Sequence, residues 1–417
     1  MRVVHLLRKY NPAEWGGTET AIERLFDGLQ PAVTPIIYCP RADSRSAQNA
    51  RDPLAERGYP IRRFRACVPI WGIPMRDRCQ MISVGGNLLS FHLVGALWRE
   101  RDIELIHSHT MGRLGGTALT IAKRRRLPYV LTIHGGLLDL PERLRNQMKT
   151  PACGGFEWGK VFGALFNARR VVPDADAILT CNEREASLLR DKYPEKRVRV
   201  QSHGVPMTLF QANHGNTALA AFPQVRDKQL LLIAGRVDPV KNQLWVVERM
   251  PAILMKYPHA MLVIAGACTD AEYGTRLEAR IRELGLKENV LLAGAFSPGE
   301  PRLIGLMQAA CALVLPSISE TFGLVILEAW AAKTPVISSR TSGGAGLIEH
   351  GHNGWLFDLE NPQAFHDAVH GVLTDPELAA RSARNGHDLA RKFDTRVIAS
   401  QVRELYEELI AEKKCAT

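Results

Sequence analysis

Gln229 to Gln243 reads QLLLIAGRVDPVKNQ, and this stretch decides the architecture. An unbroken apolar run, Gln229–Ala234, is followed at once by Gly235, by Arg236 and, five positions later, by Lys241. A short apolar run closed by glycine reads as a strand. Arg236 then stands at the carboxyl end of that strand, where open α/β sheets bind their ligands. Outward from here the pattern repeats, with strands expected at 261–265, 290–293, 312–315, 335–338 and 355–357. Before it, strands are expected at 3–7, 35–39, 61–65, 104–107, 129–133, 177–181 and 197–201, with room for crossover helices between them. Such alternation predicts parallel α/β structure made twice. The polar, small-residue stretch 206–226 reads as the linker, which gives domains at 1–205 and 227–393. A final amphipathic helix over Val397–Lys413, with Val402, Leu405, Leu409 and Ile410 on one face, lies within the closing segment 394–417, expected to cross back to the first domain. Two open sheets in tandem are expected to face each other across a cleft that holds the substrate.

The bulk properties agree with a soluble globular protein with sizeable cores. The 417 residues are 46% apolar and 23% charged, too long for one ordinary domain and too apolar for disorder. MRVVHLLRKYNP at the start reads as a strand, not a secretion signal. Met81–Trp98 lacks charge but contains Ser83, Gly85, Gly86, Asn87, Ser90 and His92, and is expected to be a buried helix and not a membrane span. Eight scattered cysteines without a CxxC pair predict neither zinc nor disulfides, and so a cytoplasmic location. Residues 1–205 hold 32 Lys and Arg against 20 Asp and Glu, whereas the rest hold 21 against 23. A basic first half suits an anionic membrane or an acidic acceptor; nucleic acid is not expected, because no binding motif accompanies the charge. Between Asp139 and Val172, Arg143, Arg145, Lys149, Lys160, Arg169 and Arg170 are interleaved with Phe156, Trp158, Phe162 and Phe166, a mixture suited to peripheral contact with anionic lipid.

Three motifs carry chemistry. Gly16-Gly17 follows the first strand, and Thr20 with Glu23 reads as a capping box, so a helix end meets an anion or an acceptor there. Arg236 and Lys241 converge on a strand end and suit a diphosphate, the first as a fork and the second as a point charge. In Pro316–Ala332, PSISETFGLVILEAWAA, a helix is expected from about Phe322, with the backbone N–H groups of Gly323 and Leu324 facing an anion. Glu328 would be a carboxylate within a buried apolar helix, which requires a partner such as a ribose diol. Glu320 sits at the loop mouth, within reach of a sugar.

Together, Arg236 and Lys241, Glu320 and Glu328, and Gly-His-Asn-Gly-Trp-Leu-Phe at 351–357 resemble the family-4 retaining glycosyltransferases of the GT-B fold, over nearly the whole chain. The resemblance implies that Arg236 and Lys241 hold the donor diphosphate, Glu328 the ribose and Glu320 the hexose. It also implies that His134, in Thr-Ile-His-Gly-Gly, reaches the donor sugar. The donor would be a UDP- or GDP-linked hexose and the acceptor a glycan, a lipid-linked saccharide or another hydroxyl. No cofactor or metal would be needed, and the anomeric configuration would be retained. Two positions depart from the family pattern: Ala345-Gly346 replaces Pro-Glu after Gly343-Gly344, and Ser202-His203-Gly204-Val205 replaces an Asn-Gly-Val turn. Asp174-Ala175-Asp176 has the DxD form of a metal site but reads as a turn into a strand. Competing readings are a sugar-nucleotide epimerase of the same fold and a non-catalytic partner in polysaccharide assembly.

Overall fold

The computed structural model describes residues 1–12, 15–41, 52–83, 85–86, 88–135 and 155–415. Two compact units divide the chain: Met1–Ser202 with the C-terminal segment from Ile398, and His203–Val397.

In the first unit lie β1 (Arg2–Leu6), β2 (Thr34–Pro40), β3 (Ile61–Phe64), β4 (Leu105–Ser108), β5 (Tyr129–Ile133), β6 (Ala177–Thr180) and β7 (Val198–Val200). They form one parallel sheet in the order β3-β2-β1-β4-β5-β6-β7. Successive side chains of a strand point to opposite faces, and here both faces are buried. Val4, Ile106, Leu131 and Ile178 enter one core, and their neighbours Val3, Leu105, Val130 and Leu179 enter another. That second core is closed by Val402, Leu405, Tyr406 and Leu409 of the C-terminal helix, Thr395–Cys415. Its periodic apolar face was readable because nearly all of it is core.

The second unit holds β8 (Gln229–Ala234), β9 (Ala260–Ala265), β10 (Val290–Gly294), β11 (Ala312–Leu315), β12 (Val336–Ser339) and β13 (Trp355–Phe357). Again the sheet is parallel, in the order β10-β9-β8-β11-β12-β13. Strand order reverses between β8 and β11, as it does between β1 and β4 in the first unit. At such a switch point the flanking loops leave in opposite directions and open a crevice at the strand ends.

Two expectations are corrected. The stretch read as a linker is folded and belongs to the second unit: 3₁₀ turns at Met207–Phe210 and Pro223–Val225 flank a helix, Gly215–Ala221. Its small residues serve close packing and not flexibility. A Cβ on Gly305, in the helix Pro301–Ala309, would stand 2.2 Å from the His214 carbonyl oxygen. Met81–Trp98 is likewise not one buried helix. One helix ends at Ser83, and another, Phe91–Arg99, starts after Ser90 accepts the Leu93 N–H at 3.1 Å. Gly85, with φ +66, turns the chain between them. Among the described residues no helix is long and apolar enough to cross a membrane.

Candidate active site

The loops leaving β8 and β11 are tied together at the switch point of the second unit. A Cβ on Gly266, just past β9, would lie 1.9 Å from the Gly235 carbonyl oxygen, so the strand ends approach as only glycine allows. Asp238, buried, shapes the turn beyond Gly235: its Oδ1 accepts the Lys241 N–H at 2.9 Å and its Oδ2 pairs with Arg236 at 3.1 Å. Asn242, in the left-handed region, donates its side-chain amide to the Pro316 carbonyl at 3.2 Å, and the Ile318 N–H donates to the Val240 carbonyl at 2.8 Å. Across the same seam the Lys241 ammonium donates to Glu320 Oε2 at 2.5 Å, with four-fifths of each side chain buried. Arg236, by contrast, is half exposed. Thus Glu320, distant in sequence, meets the segment of Arg236 and Lys241 at the strand ends of β8 and β11.

Behind them, the helix Leu324–Ala331 begins at Gly323, whose φ of +92 a side chain would strain. Gly343 donates its N–H to the Glu320 carbonyl at 2.7 Å. Leu324 and Glu328 are four residues apart and share one face of that helix, both partly exposed. Glu328 was expected within a buried helix. Ile326, Leu327, Ala329, Trp330 and Ala331 are buried, and Leu324, Val325 and Glu328 are partly exposed, so the carboxylate lies along the boundary of the core and not inside it. The Ala345-Gly346 departure leaves its helix intact: Ser342–Leu347 forms under a Thr341 cap, with both residues exposed. At the other departure, the His203 ring meets Phe322 edge-on at 4.9 Å.

The first unit presents histidines at its own switch point. His5 on β1 is in register with His107 on β4, and His109 follows two residues later on the same face. His134 follows β5 directly. His5 Nδ1 lies 3.0 Å from His109 Nε2, and His109 Nδ1 lies 2.9 Å from His134 Nε2. His107 is held by the Tyr406 hydroxyl at 2.5 Å and by Thr132 Oγ1 at 2.6 Å. Burial drives the pKa of His5 well below the ordinary value, with His109 adding to the effect; burial does the same to His107, with His5 and His134 adding to it. Both are therefore neutral in the fold. The unfolded chain binds protons at these two rings below about pH 6.5, and the native state refuses them, so their contribution is complete above that pH and is lost as pH falls. Stability is expected to drop between about pH 6.5 and 5.5 by up to about 1.4 kcal/mol per pH unit for each ring. Urea midpoints across that window check this, and a flat profile contradicts it.

Two family profiles match the chain: one described as Glycosyl transferase 4-like domain over residues 16–204, and one as Glycosyl transferases group 1 over residues 218–388. The chain belongs to the group 1 glycosyl transferases, family 4. This glycosyltransferase is 29% identical over 326 residues to the D-inositol 3-phosphate glycosyltransferase of Acidothermus cellulolyticus, a match that covers 75% of this chain and 69% of that one. It is 26% identical to the enzyme of that name from Corynebacterium glutamicum, with 80% and 78% covered. Among solved structures, Anabaena HepE in complex with UDP and glucose superposes with TM-score 0.72 at 17% identity, covering 98% and 100% of the two chains. WaaG, a glycosyltransferase involved in lipopolysaccharide biosynthesis, does so with TM-score 0.62 at 18%, covering 97% and 99%. The glycosyltransferase therefore has the GT-B fold of two Rossmann-like parallel-sheet domains.

Elsewhere the geometry corrects or refines single residues of the transferase. The capping box read at Thr20 and Glu23 is not formed. The helix Gly17–Leu29 begins at Gly16 with no side-chain cap, while Thr20 Oγ1 accepts from the Trp15 indole at 2.8 Å and donates to the Gly16 carbonyl at 3.0 Å. Glu19 is buried in that first turn, a carboxylate at the positive helix end. Asp174 is occupied by Lys123 and Arg170, and Asp176 by the Tyr129 N–H and Lys413, which accounts for both carboxylates structurally. His5, His107 and His109 were not singled out from sequence. Their signal was available: His-x-His at the end of a strand places two imidazoles on one sheet face.

Proposed function

We propose that this glycosyltransferase moves a hexose from a UDP- or GDP-linked donor to a hydroxyl acceptor, a glycan or a lipid-linked saccharide, and retains the anomeric configuration without a metal. The observation that carries this reading is the convergence of Arg236, Lys241 and Glu320 at the switch point between β8 and β11. Two cations at one strand-end crevice match a diphosphate, and the leaving group gains charge as the glycosidic bond breaks. Fixed cations stabilise that charge more in the transition state than before it. Leu324 and Gly323 add backbone donors to the diphosphate, Glu328 accepts from the ribose hydroxyls, and Glu320 accepts from the hexose. His134 contacts the donor sugar, and Gly16-Gly17 contact the donor phosphate or the acceptor. The departing phosphate takes the acceptor proton, so no carboxylate base is required.

The test is product stereochemistry by NMR of the anomeric proton, with EDTA present and absent, using an acceptor panel that includes D-inositol 3-phosphate. Retention with EDTA-insensitive rates is expected. Inversion, or activity abolished by chelation, rejects the mechanism.

A surface of the first unit supports a location at the inner face of an anionic membrane. The helix Lys160–Leu165, KVFGAL, buries none of its residues, and Val161 and Leu165 are 72% and 64% exposed. Beside it Trp71 and Phe156, 63% and 67% exposed, lie 6.0 Å apart, and Phe91 meets Phe162 edge-on at 5.0 Å. Lys160, Arg169 and Arg170 are exposed nearby; Arg143, Arg145 and Lys149 lie outside the described residues. Aromatic and aliphatic side chains beside cations suit an interface of acyl chains and anionic headgroups. Vesicles containing phosphatidylserine should sediment the protein, and Phe156→Ser/Val161→Ser should release it without loss of fold. Equal sedimentation with neutral vesicles rejects the electrostatic part.

A further inference from the structure

His5, His109 and His134 form a row of three imidazoles joined end to end. The His5 and His109 rings are inclined by 19° with centroids 5.3 Å apart, and the His109 and His134 rings by 23° with centroids 5.1 Å apart. With nitrogens 3.0 and 2.9 Å apart, these are edge-to-edge hydrogen bonds between nearly coplanar rings, not face-to-face stacks. The row begins at a fully buried ring and ends at the partly exposed His134. His107 lies against the middle of it, 4.2 Å from His109 at 30°, and is itself fixed at both nitrogens by Tyr406 and Thr132.

A neutral imidazole donates from one nitrogen and accepts at the other, so a chain of neutral rings has only two proton registers. In one, His5 Nδ1 donates to His109 Nε2 and His109 Nδ1 donates to His134 Nε2. In the other, both bonds run in reverse. A tautomer change at His134 thus requires the same change at His109 and at His5. His5 Nε2 is buried with no hydrogen-bond partner among the described residues, so the two registers differ in what they bury there: a bare lone pair or an N–H without an acceptor. His134 Nδ1 is a buried atom too, so each register sets the protonation of both end nitrogens at once; the two ends have different surroundings, the registers are therefore unequal in energy, and one choice is shared by all three rings.

We infer that His5 and His109 are positioning residues that hold His134 in one tautomer and one ring plane. Its bearing on catalysis rests on the proposed role of His134 at the donor sugar; the row itself does not. A metal held by His5, His107 and His109, whose nitrogens lie within 4.8 Å of one another, is the competing use of this cluster. Direct hydrogen bonding of His5 to His109 leaves no space for an ion between them, and both nitrogens of His107 are already engaged.

The experiment is NMR of the full chain with nitrogen-labelled histidine, assigned by single substitutions. Wild type should show coupling through the hydrogen bond between His109 Nδ1 and His134 Nε2, with His134 in a single tautomer. His109→Phe keeps a flat ring but removes both nitrogens, and should return His134 to a tautomer mixture. It should lower kcat about tenfold, the worth of one such bond, with the donor KM changed less than about twofold. His109→Gln, which restores one donor and acceptor, should recover part of both. Absence of the coupling in wild type overturns the inference whether or not any variant folds, as does a His134 tautomer unchanged in folded His109→Phe. If His134→Ala turns over at the wild-type rate, the role of that residue in transfer fails, while the NMR result decides the row independently.

Discussion

Arg236→Ala/Lys241→Ala is expected to abolish the stabilisation that a nucleoside diphosphate gives the wild-type enzyme. At about 100 times its Kd, a ligand that binds only the native state raises stability by roughly 2.7 kcal/mol, which thermal unfolding with UDP, GDP, ADP and dTDP resolves readily. The two cations do not contribute alike. Arg236 is half exposed, and buried Asp238 keeps the Lys241 N–H as a second donor, so the guanidinium turns to a phosphate at small cost. Lys241 is mostly buried and neutralises Glu320, so removal of its charge leaves a carboxylate beside the incoming diphosphate. Lys241→Ala should therefore weaken nucleotide binding more than Arg236→Ala, and lower kcat/KM by about 10²–10³. Glu320→Gln in the Lys241→Ala background should restore part of the nucleotide binding, because the repulsion is gone. If UDP and GDP stabilise Lys241→Ala as they do wild type, the diphosphate does not lie between the β8 and β11 loops.

Most of the fold was readable because nearly every strand is a short apolar run bounded by turn residues. β5, β8, β11 and β13 begin and end at the expected residues, and the other strands differ by a residue or so at their ends. Parallel strands are buried on both faces, which makes the run itself the signal. What composition misrepresented were stretches whose small residues have a packing purpose. Ala218 and Gly305 permit two helices to touch, yet polar and small residues without periodicity look like a tether. At the candidate site, sequence order sufficed to put Arg236 at a strand end. The link from Lys241 to Glu320 was hidden, since it depends on β11 lying next to β8, a pairing of strands separated by two others in the chain. Thr20 and Glu23 had the spacing of a capping box, but the Trp15 indole claims the Thr20 hydroxyl. The helix starts at Gly17, so Thr20 lies inside its first turn and cannot cap it.

The glycines after β12 separate the site from its scaffold. Gly343→Ala would place a Cβ 2.6 Å from the Phe322 carbonyl carbon and 2.7 Å from its nitrogen and oxygen. These are backbone atoms, so they cannot swing aside as a side chain would. The displaced segment is the one that carries Glu320 and leads into Gly323, and Gly343 also donates its N–H to the Glu320 carbonyl at 2.7 Å. Overpacking of this kind costs about 1–3 kcal/mol in stability. The larger loss is expected in function, since a catalytic group moved by about 1 Å costs on the order of a hundredfold in rate. Gly346→Ala, three residues on in the same short helix, meets nothing within 4 Å and sits on the exposed face. It should raise stability by roughly 0.5–1 kcal/mol through helix propensity and leave transfer unchanged. Melting temperatures and kcat/KM for the pair check this. If Gly343→Ala lowers the melting temperature but keeps full nucleotide affinity and turnover, the 320–323 loop does not hold the donor. If both variants behave alike, the contact at Phe322 is not what requires glycine at position 343.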